Sequence, residues 1–391
     1  MYIVVLLVAV AISLGIAMIN GAQNIGKIIG VSTRRVKRRS RLVYTANAVF
    51  MGIGAFTLGS RISKTIAKGI IDFSLLPGET SQLLASSSIV FSTIIVASIS
   101  LHYKIPLSIS QLVVGSAIGT GLALCGLECL NTERIALIVS SWITTPLIAG
   151  LTSTVLYKLD EYVSSRGNPR IEVALYTFYF SFSMFIVQYL LLSEFTGPEI
   201  SFVYALFFAI NIALALIIYS YTLEYPWEEE LDILKFYTQS IIVLLLGLSY
   251  GAHDIGNAAG PLSLIFSYMY PSIDHLHTAI TLTSLAFFVG AAIWGYRIAG
   301  TIGGGITPLT PTTGFIVQVS TAFTLFLVVS MGIPSSITLT LLGSIAGVGY
   351  ARGLNYVNTK MLIKINLFWI VGVASTIVAS YLFTMLFKII L

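Results

Sequence analysis

Gly21-Ala22-Gln23-Asn24-Ile25-Gly26-Lys27 and Gly251-Ala252-His253-Asp254-Ile255-Gly256-Asn257 are two versions of one motif, 230 residues apart in a chain of 391. Each ends a long apolar run. Each places amide or charged side chains, flanked by glycines, where a hydrocarbon core would be. A duplicated polar interruption at membrane depth points to the central binding site of a transporter.

The surroundings support a membrane reading. The chain is 56% hydrophobic and only 9% charged, with a mean hydropathy of +0.93. A soluble domain carries roughly a quarter charged residues. The first apolar run, from Tyr2 to Met18, lacks a preceding cation and a small-residue cleavage site, so it reads as a retained span. The net charge of +5 is concentrated in one loop. It reports topology and does not point to nucleic acid. Cys125 and Cys129 have no further cysteines around them and read as free thiols.

A span needs about 20 apolar residues. Ten segments qualify: 2–20, 42–60, 82–101, 134–157, 171–192, 200–221, 234–250, 278–296, 314–332 and 363–387. Two more, 106–127 and 334–351, start at a proline and are rich in Gly, Ser and Thr. They read as broken or re-entrant helices, for an all-α protein of about 12 transmembrane segments. Arg34, Arg35, Lys37, Arg38, Arg39 and Arg41 place the first loop in the cytoplasm by the positive-inside rule, so both termini are expected outside the cell membrane.

The duplication extends past the opening motif. Thr65-Ile66-Ala67-Lys68-Gly69-Ile70 matches Thr301-Ile302-Gly303-Gly304-Gly305-Ile306, and Pro106-Leu107-Ser108-Ile109-Ser110 matches Pro334-Ser335-Ser336-Ile337-Thr338. Glycine-spaced runs follow, at Gly115 to Gly119 and Gly343 to Gly347. Asn131-Thr132 with Trp142 matches Asn358-Thr359 with Trp369. The chain divides into a first repeat (1–157), two linking helices with cytoplasmic loops (158–233) and a second repeat (234–391). Five crossings plus two linkers is an odd number, so the second repeat enters from the opposite face. That makes an inverted-topology pair.

Charge in the hydrocarbon requires a reason, because it costs at least ~2.5–3.5 kcal/mol at the bilayer centre. Lys27 is the first charge in the chain, and Asp254 is one of two acids after Asp232. A snorkelling Lys27, or a buried ion pair between the two, is the structural alternative to a binding role. Helices broken at Gly21, Gly251, Pro106 and Pro334 are expected to turn N–H groups toward an oxyanion. Asn24, Asn257, Ser108, Ser110, Gln111, Ser336 and Thr338 supply further donors. His253 is either a titrating group or a hydrogen-bonding strut. No His-Glu-x-x-His zinc motif, no Gly-x-Ser-x-Gly elbow and no second membrane-core carboxylate accompanies Asp254, so an enzyme is not expected.

The stretch from Gly251 to Pro261 resembles the signature of the inorganic phosphate transporter (PiT) family. So do Thr301-Ile302-Gly303 through Ile306-Thr307-Pro308-Leu309-Thr310-Pro311 with Gly314-Phe315, and the Pro-x-Ser-x-Ser/Thr segments at 106 and 334. The resemblance implies a symporter that takes up phosphate with Na+ or H+ by alternating access. Matched residue by residue, it implies substrate contacts from Ser108, Ser110, Gln111, Asp254, Asn257, Ser336 and Thr338, and the polar pattern of the first motif adds Asn24 and Lys27. Cation coupling falls to Asp254, Asn24, Asn257 and His253. No cofactor is expected, and Na+ enters only as a coupling ion at Asp254. The expected partners are inorganic phosphate or sulfate, H+ or Na+, the lipid bilayer and, as an option, a second copy in a homodimer.

The first half departs from the family. Asn24 stands where Asp is usual and Lys27 where Asn is usual, a change of +2. That weakens a hard-cation site and favours an anion, with Lys27 in the electrostatic place of one coupling cation. Ile109 and Ile337 replace threonines, and Leu339 replaces a polar residue. A pocket that gains a donor and loses acceptors also fits sulfate, so a sulfate or other oxyanion permease is the alternative, ahead of an anion channel.

Overall fold

Lipid offers the backbone no hydrogen-bond partner, so apolar runs of this length satisfy themselves as helices. A computed structural model describes residues 2–31, 40–76, 80–102, 107–193, 196–222, 227–269, 272–298 and 306–390. Every described apolar run is helical, and the described residues hold no strand beyond an isolated bridge between Ile71 and Leu130. The helices are α1 (Tyr2–Gly30), α2 (Ser40–Leu58), α3 (Ser60–Lys68), α4 (Thr80–His102), α5 (Ile109–Cys125), α6 (Thr132–Ser165) and α7 (Pro169–Ser193). They continue as α8 (Pro198–Thr222), α9 (Trp227–Asp254), α10 (Gly256–Met269), α11 (His275–Ile298), α12 (Pro311–Ser330), α13 (Ile337–Arg352) and α14 (Thr359–Ile390).

Among the described residues, eight helical stretches are long and apolar enough to cross a membrane, and the bent pair α2 and α3, with 60° between them, makes a ninth. α5 is apolar but shorter. The outer faces of α6, α8 and α14 carry exposed Leu151, Val155, Phe207 and Leu367, as hydrocarbon contact requires. The chain is an integral membrane protein. The basic cluster from Arg34 to Arg39, Pro106 and the block Thr301–Gly305 lie outside the described residues.

Several of the matched blocks make matching contacts. α1 packs against α11 and α2 against α9, while α6 packs against α13 and α5 against α14. The Asn131 N–H donates to the Ile70 carbonyl at 3.0 Å, and the Asn358 N–H donates to the Ile306 carbonyl at 2.9 Å. Each asparagine then caps its helix through Oδ1, accepting from Arg134 and Met361 respectively. Inside the bundle, Ser92 bonds Ser116 at 2.9 Å, and Thr321 bonds Ser344 at 3.0 Å. The linking helices α7 and α8 pack on each other, and Lys235 of α9 pairs with Glu172 of α7 at 2.9 Å.

Two expectations require correction. The glycines of the opening motif do not break their helices. α1 runs unbroken through Gly21, and α9 continues past Gly251 to Asp254; the interruption falls at Ile255. A glycine costs a helix only about 1 kcal/mol, and here its missing Cβ is what matters. A Cβ on Gly21 would collide with the Phe287 carbonyl of α11, and one on Gly251 with the Met51 carbonyl of α2. Both glycines permit close helix crossings. Cys125 and Cys129 are joined as a disulfide with a Cα–Cα distance of 6.0 Å. Gly126, at φ 73°, turns the chain after α5 so that the two face each other.

Candidate functional site

The interruption at Ile255 gathers polar side chains from four helices. α9 delivers His253 and Asp254 at its last turn, and α10 delivers Asn257 at its first. α1 presents Asn20, Asn24 and Lys27, which share one face by their spacing of four and three residues. α5 starts at Ile109, with Ser108 as its N-cap residue, and brings Ser110 and Gln111 in its first turn. Asp254 is 3% exposed and Lys27 is 6% exposed.

Asp254 is the hub. Its Oδ2 accepts from Asn24 Nδ2 at 2.7 Å. Its Oδ1 accepts from Ser110 Oγ at 3.0 Å and more distantly from Asn257 Nδ2 at 3.4 Å. Asn257 Nδ2 also donates to Ser110 Oγ at 3.0 Å. His253 Nδ1 lies 3.0 Å from the same Oδ1. The other ring nitrogen fixes the tautomer: the Ser335 backbone N–H donates to His253 Nε2 at 3.0 Å, so Nε2 is the acceptor and Nδ1 carries the proton. The histidine thereby ties the segment that leads into α13 to the carboxylate.

Lys27 does not pair directly with Asp254. Its Nζ donates to Asn24 Oδ1 at 2.9 Å, while the Asn24 amide nitrogen faces Asp254. Asn24 therefore stands between ammonium and carboxylate. Nor does Lys27 snorkel, since its side chain is buried within the bundle.

The remaining expected residues are buried around this hub without touching it. Ser336 caps α13, its Oγ accepting from the Leu339 N–H at 3.2 Å. Ser108 and Thr338 are buried at the starts of α5 and α13. Gln111 is 1% exposed, and neither end of its amide has a partner among the described residues. Asn257 Oδ1 is likewise buried and unpartnered. Such orphaned polar atoms are costly unless water or a ligand satisfies them.

Three contributors were not expected. Asn20 Nδ2 approaches the Asp254 carbonyl at 3.4 Å; its place one turn before Asn24 was the available signal. Ser335 holds His253, and it neighbours Ser336 in the repeat. Tyr250, one turn before Asp254, is fully buried, and its hydroxyl has no partner among the described residues. Among the described residues no three His, Cys, Asp or Glu side chains converge. A cation at Asp254 would therefore be held by one carboxylate and neutral oxygens, a set that suits a hard ion.

Comparison with known proteins agrees with this architecture. The model of the phosphate transporter family matches residues 20–380. The inorganic phosphate transporter 2-1 of Arabidopsis thaliana chloroplasts is 27% identical over 421 residues, covering 95% of this chain and 71% of the relative. A protein named as a phosphate permease in Pyrococcus abyssi is 27% identical over 358 residues, covering 86% of this chain and 85% of the relative. A solved structure described as the sodium-dependent phosphate transporter superposes with a TM-score of 0.88 at 25% identity, over 99% of this chain and 100% of that one. These relatives are transporters by name, in keeping with the expectation that the chain is not an enzyme. With the family model spanning both copies of the motif, the chain belongs to the phosphate transporter family.

Proposed function

We propose that the protein is a secondary active transporter that takes up inorganic phosphate by Na+ or H+ symport through alternating access. The observation that carries this reading is the Asp254 hub. A buried carboxylate at a helix interruption is joined to α1 through Asn24 and to α5 through Ser110. The Gln111 amide, one residue from Ser110, and the Asn257 oxygen, one turn from Asp254, are buried without a partner among the described residues. The first turns of α5, α10 and α13 add backbone N–H groups, which favour an oxyanion.

In this reading the bundle contains 12 crossings in two inverted repeats, 1–157 and 234–391, with 158–233 between them. The crossed packing of α1 with α11 and α2 with α9 supports the arrangement, because equivalent helices exchange partners between halves. Both termini face outward from the cell membrane. Substrate is held by Lys27, Asn24, Ser108, Ser110, Gln111, Asp254, Asn257, Ser336 and Thr338. Asp254 and Asn257 offer oxygens to a coupling cation. His253 acts as a hydrogen-bonding strut between Ser335 and Asp254.

Sulfate is the second reading, favoured by one observation. Both Asp254 oxygens already accept from protein donors. A protonated phosphate needs an acceptor, whereas sulfate needs only donors. Radiolabelled phosphate and sulfate uptake into proteoliposomes, with Na+ and pH gradients varied separately, tests both. Saturable phosphate uptake driven by either gradient is expected. Uptake of sulfate alone, or flux through an open conductance without gradient coupling, would overturn the primary reading.

A further inference from the structure

The two halves of the site are chemically unequal. At the first motif position, Asn24 stands opposite Asp254; at the second, Lys27 stands opposite Asn257. One half thus offers a carboxylate and an amide, which are oxygen ligands for a cation. The other offers an amide and an ammonium. The geometry shows what the ammonium does: Nζ lies 2.9 Å from Asn24 Oδ1, on the carbonyl oxygen that this motif position could otherwise give to a cation. The Asn24 nitrogen is turned away to Asp254 at 2.7 Å. Asn24 is fully buried, so its oxygen has no second role to play in solvent.

We propose that Lys27 is a tethered cation: its ammonium occupies permanently the position where the first half of the site would otherwise bind a coupling ion. This rests on the symport reading and deepens it. Several consequences follow from elementary electrostatics. The ammonium supplies one positive charge to offset an anionic substrate and Asp254, as a bound Na+ would. It is covalently held, so it neither enters nor leaves with the substrate, and no ion gradient acts through it. A monovalent cation is also repelled from the adjacent oxygen by a unit charge in a medium of low dielectric. Uptake therefore uses fewer coupling ions than a site with two oxygen-lined halves, and the remaining ion belongs to the Asp254–Asn257 half.

The Lys27 ammonium has three N–H groups, and Asn24 Oδ1 is its one acceptor among the described residues. A direct contact from Lys27 to the oxyanion is compatible with the tethered-cation role. The two are separable, because contact with substrate alone leaves unchanged the Na+-dependent stabilisation measured without substrate.

The experiment uses purified full-length protein, in two measurements. The first is the Na+-dependent shift in thermal unfolding without any substrate, with choline replacing Na+. The second is the Na+ dependence of phosphate uptake in proteoliposomes. The variants are Lys27→Arg, Lys27→Gln and the double variant Asn24→Asp with Lys27→Asn, which gives the first half the same carboxylate and amide as the second. The expected result is that the double variant gains a second Na+-dependent stabilisation and a Hill coefficient for Na+ higher by about one. Lys27→Gln gains a weaker Na+ response, and Lys27→Arg keeps the wild-type slope. If the double variant does not fold, Lys27→Gln decides. An unchanged Na+ response in the decisive variant overturns the proposal, whether or not the phosphate KM has moved. Because the thermal shift needs no substrate, it decides the matter even if the protein carries sulfate or another anion.

Discussion

Trp142 and Trp369 meet edge to face, with ring centroids 5.7 Å apart and planes at 84°. The two hold equivalent positions in the two halves, eleven residues after Asn131 and Asn358. This pair joins α6 to α14. Truncating a packed tryptophan to alanine costs about 3–5 kcal/mol, and an aromatic pair adds about 0.5–1.5 kcal/mol beyond its area. Trp142→Ala and Trp369→Ala are each expected to lower the unfolding temperature in detergent. The double variant should lose less than the sum of the two. Strict additivity would show that the rings do not interact.

The close crossings give a sharper test of packing. Valine at Gly21 or Gly251 must push apart a helix whose carbonyl already occupies the Cβ position. Overpacking typically costs about 1–3 kcal/mol, and here the obstacle is backbone, which yields less readily than a side chain. Both variants should unfold at clearly lower temperature and by similar amounts. Gly15 lies in the same helix with nothing within 4 Å of its virtual Cβ. Gly15→Ala should instead raise stability by about 0.5–1 kcal/mol through helix propensity. If Gly15→Ala and Gly21→Val shift stability in the same direction, the crossing geometry is wrong.

Asp254→Asn should damage the site more than loss of charge alone implies. The carboxylate accepts on both oxygens, from Asn24 on one side and from Ser110 and His253 on the other. An asparagine must turn its NH2 toward one of those groups, placing donor against donor. Truncating one partner of a buried charged hydrogen bond costs about 2–5 kcal/mol, so uptake is expected to fall on the order of 100-fold. Wild-type uptake by Asp254→Asn in proteoliposomes would remove the carboxylate from the mechanism.

Much of this was legible in the sequence because the duplication is a pattern of residues. Asn24, Lys27, Asp254 and Asn257 stand out as polar groups in apolar runs, and the structure brings them together around one carboxylate. The repeat blocks also identified Ile70 with Ile306 and Asn131 with Asn358, which form matching hydrogen bonds. The function of the glycines was misread, since a glycine that breaks a helix and one that admits a neighbour look identical without the partner helix. Asn20, Ser335 and Tyr250 were missed for a related reason. Each is an ordinary residue locally, and only the meeting of α1, α9 and the segment before α13 gives it a partner or an unmet valence.

His253 supplies the last test. Its Nε2 accepts from the Ser335 N–H at 3.0 Å, and its Nδ1 faces Asp254 at 3.0 Å. Both nitrogens are committed in the neutral ring, and a proton added at Nε2 would oppose the Ser335 N–H. A strut of this kind is tested by separating rate from pH dependence. His253→Ala removes the acceptor and leaves a buried N–H without a partner, at a cost of about 1–3 kcal/mol. Stability and uptake should both fall. His253→Gln retains one acceptor and one donor on a flexible stem, and should recover part of the loss. A strut between Ser335 and Asp254 leaves the midpoint of the pH profile of phosphate uptake unmoved in both variants. A profile that flattens or shifts in His253→Gln would assign the transported proton to this histidine, and would make its bond with Ser335 a gate that opens on protonation.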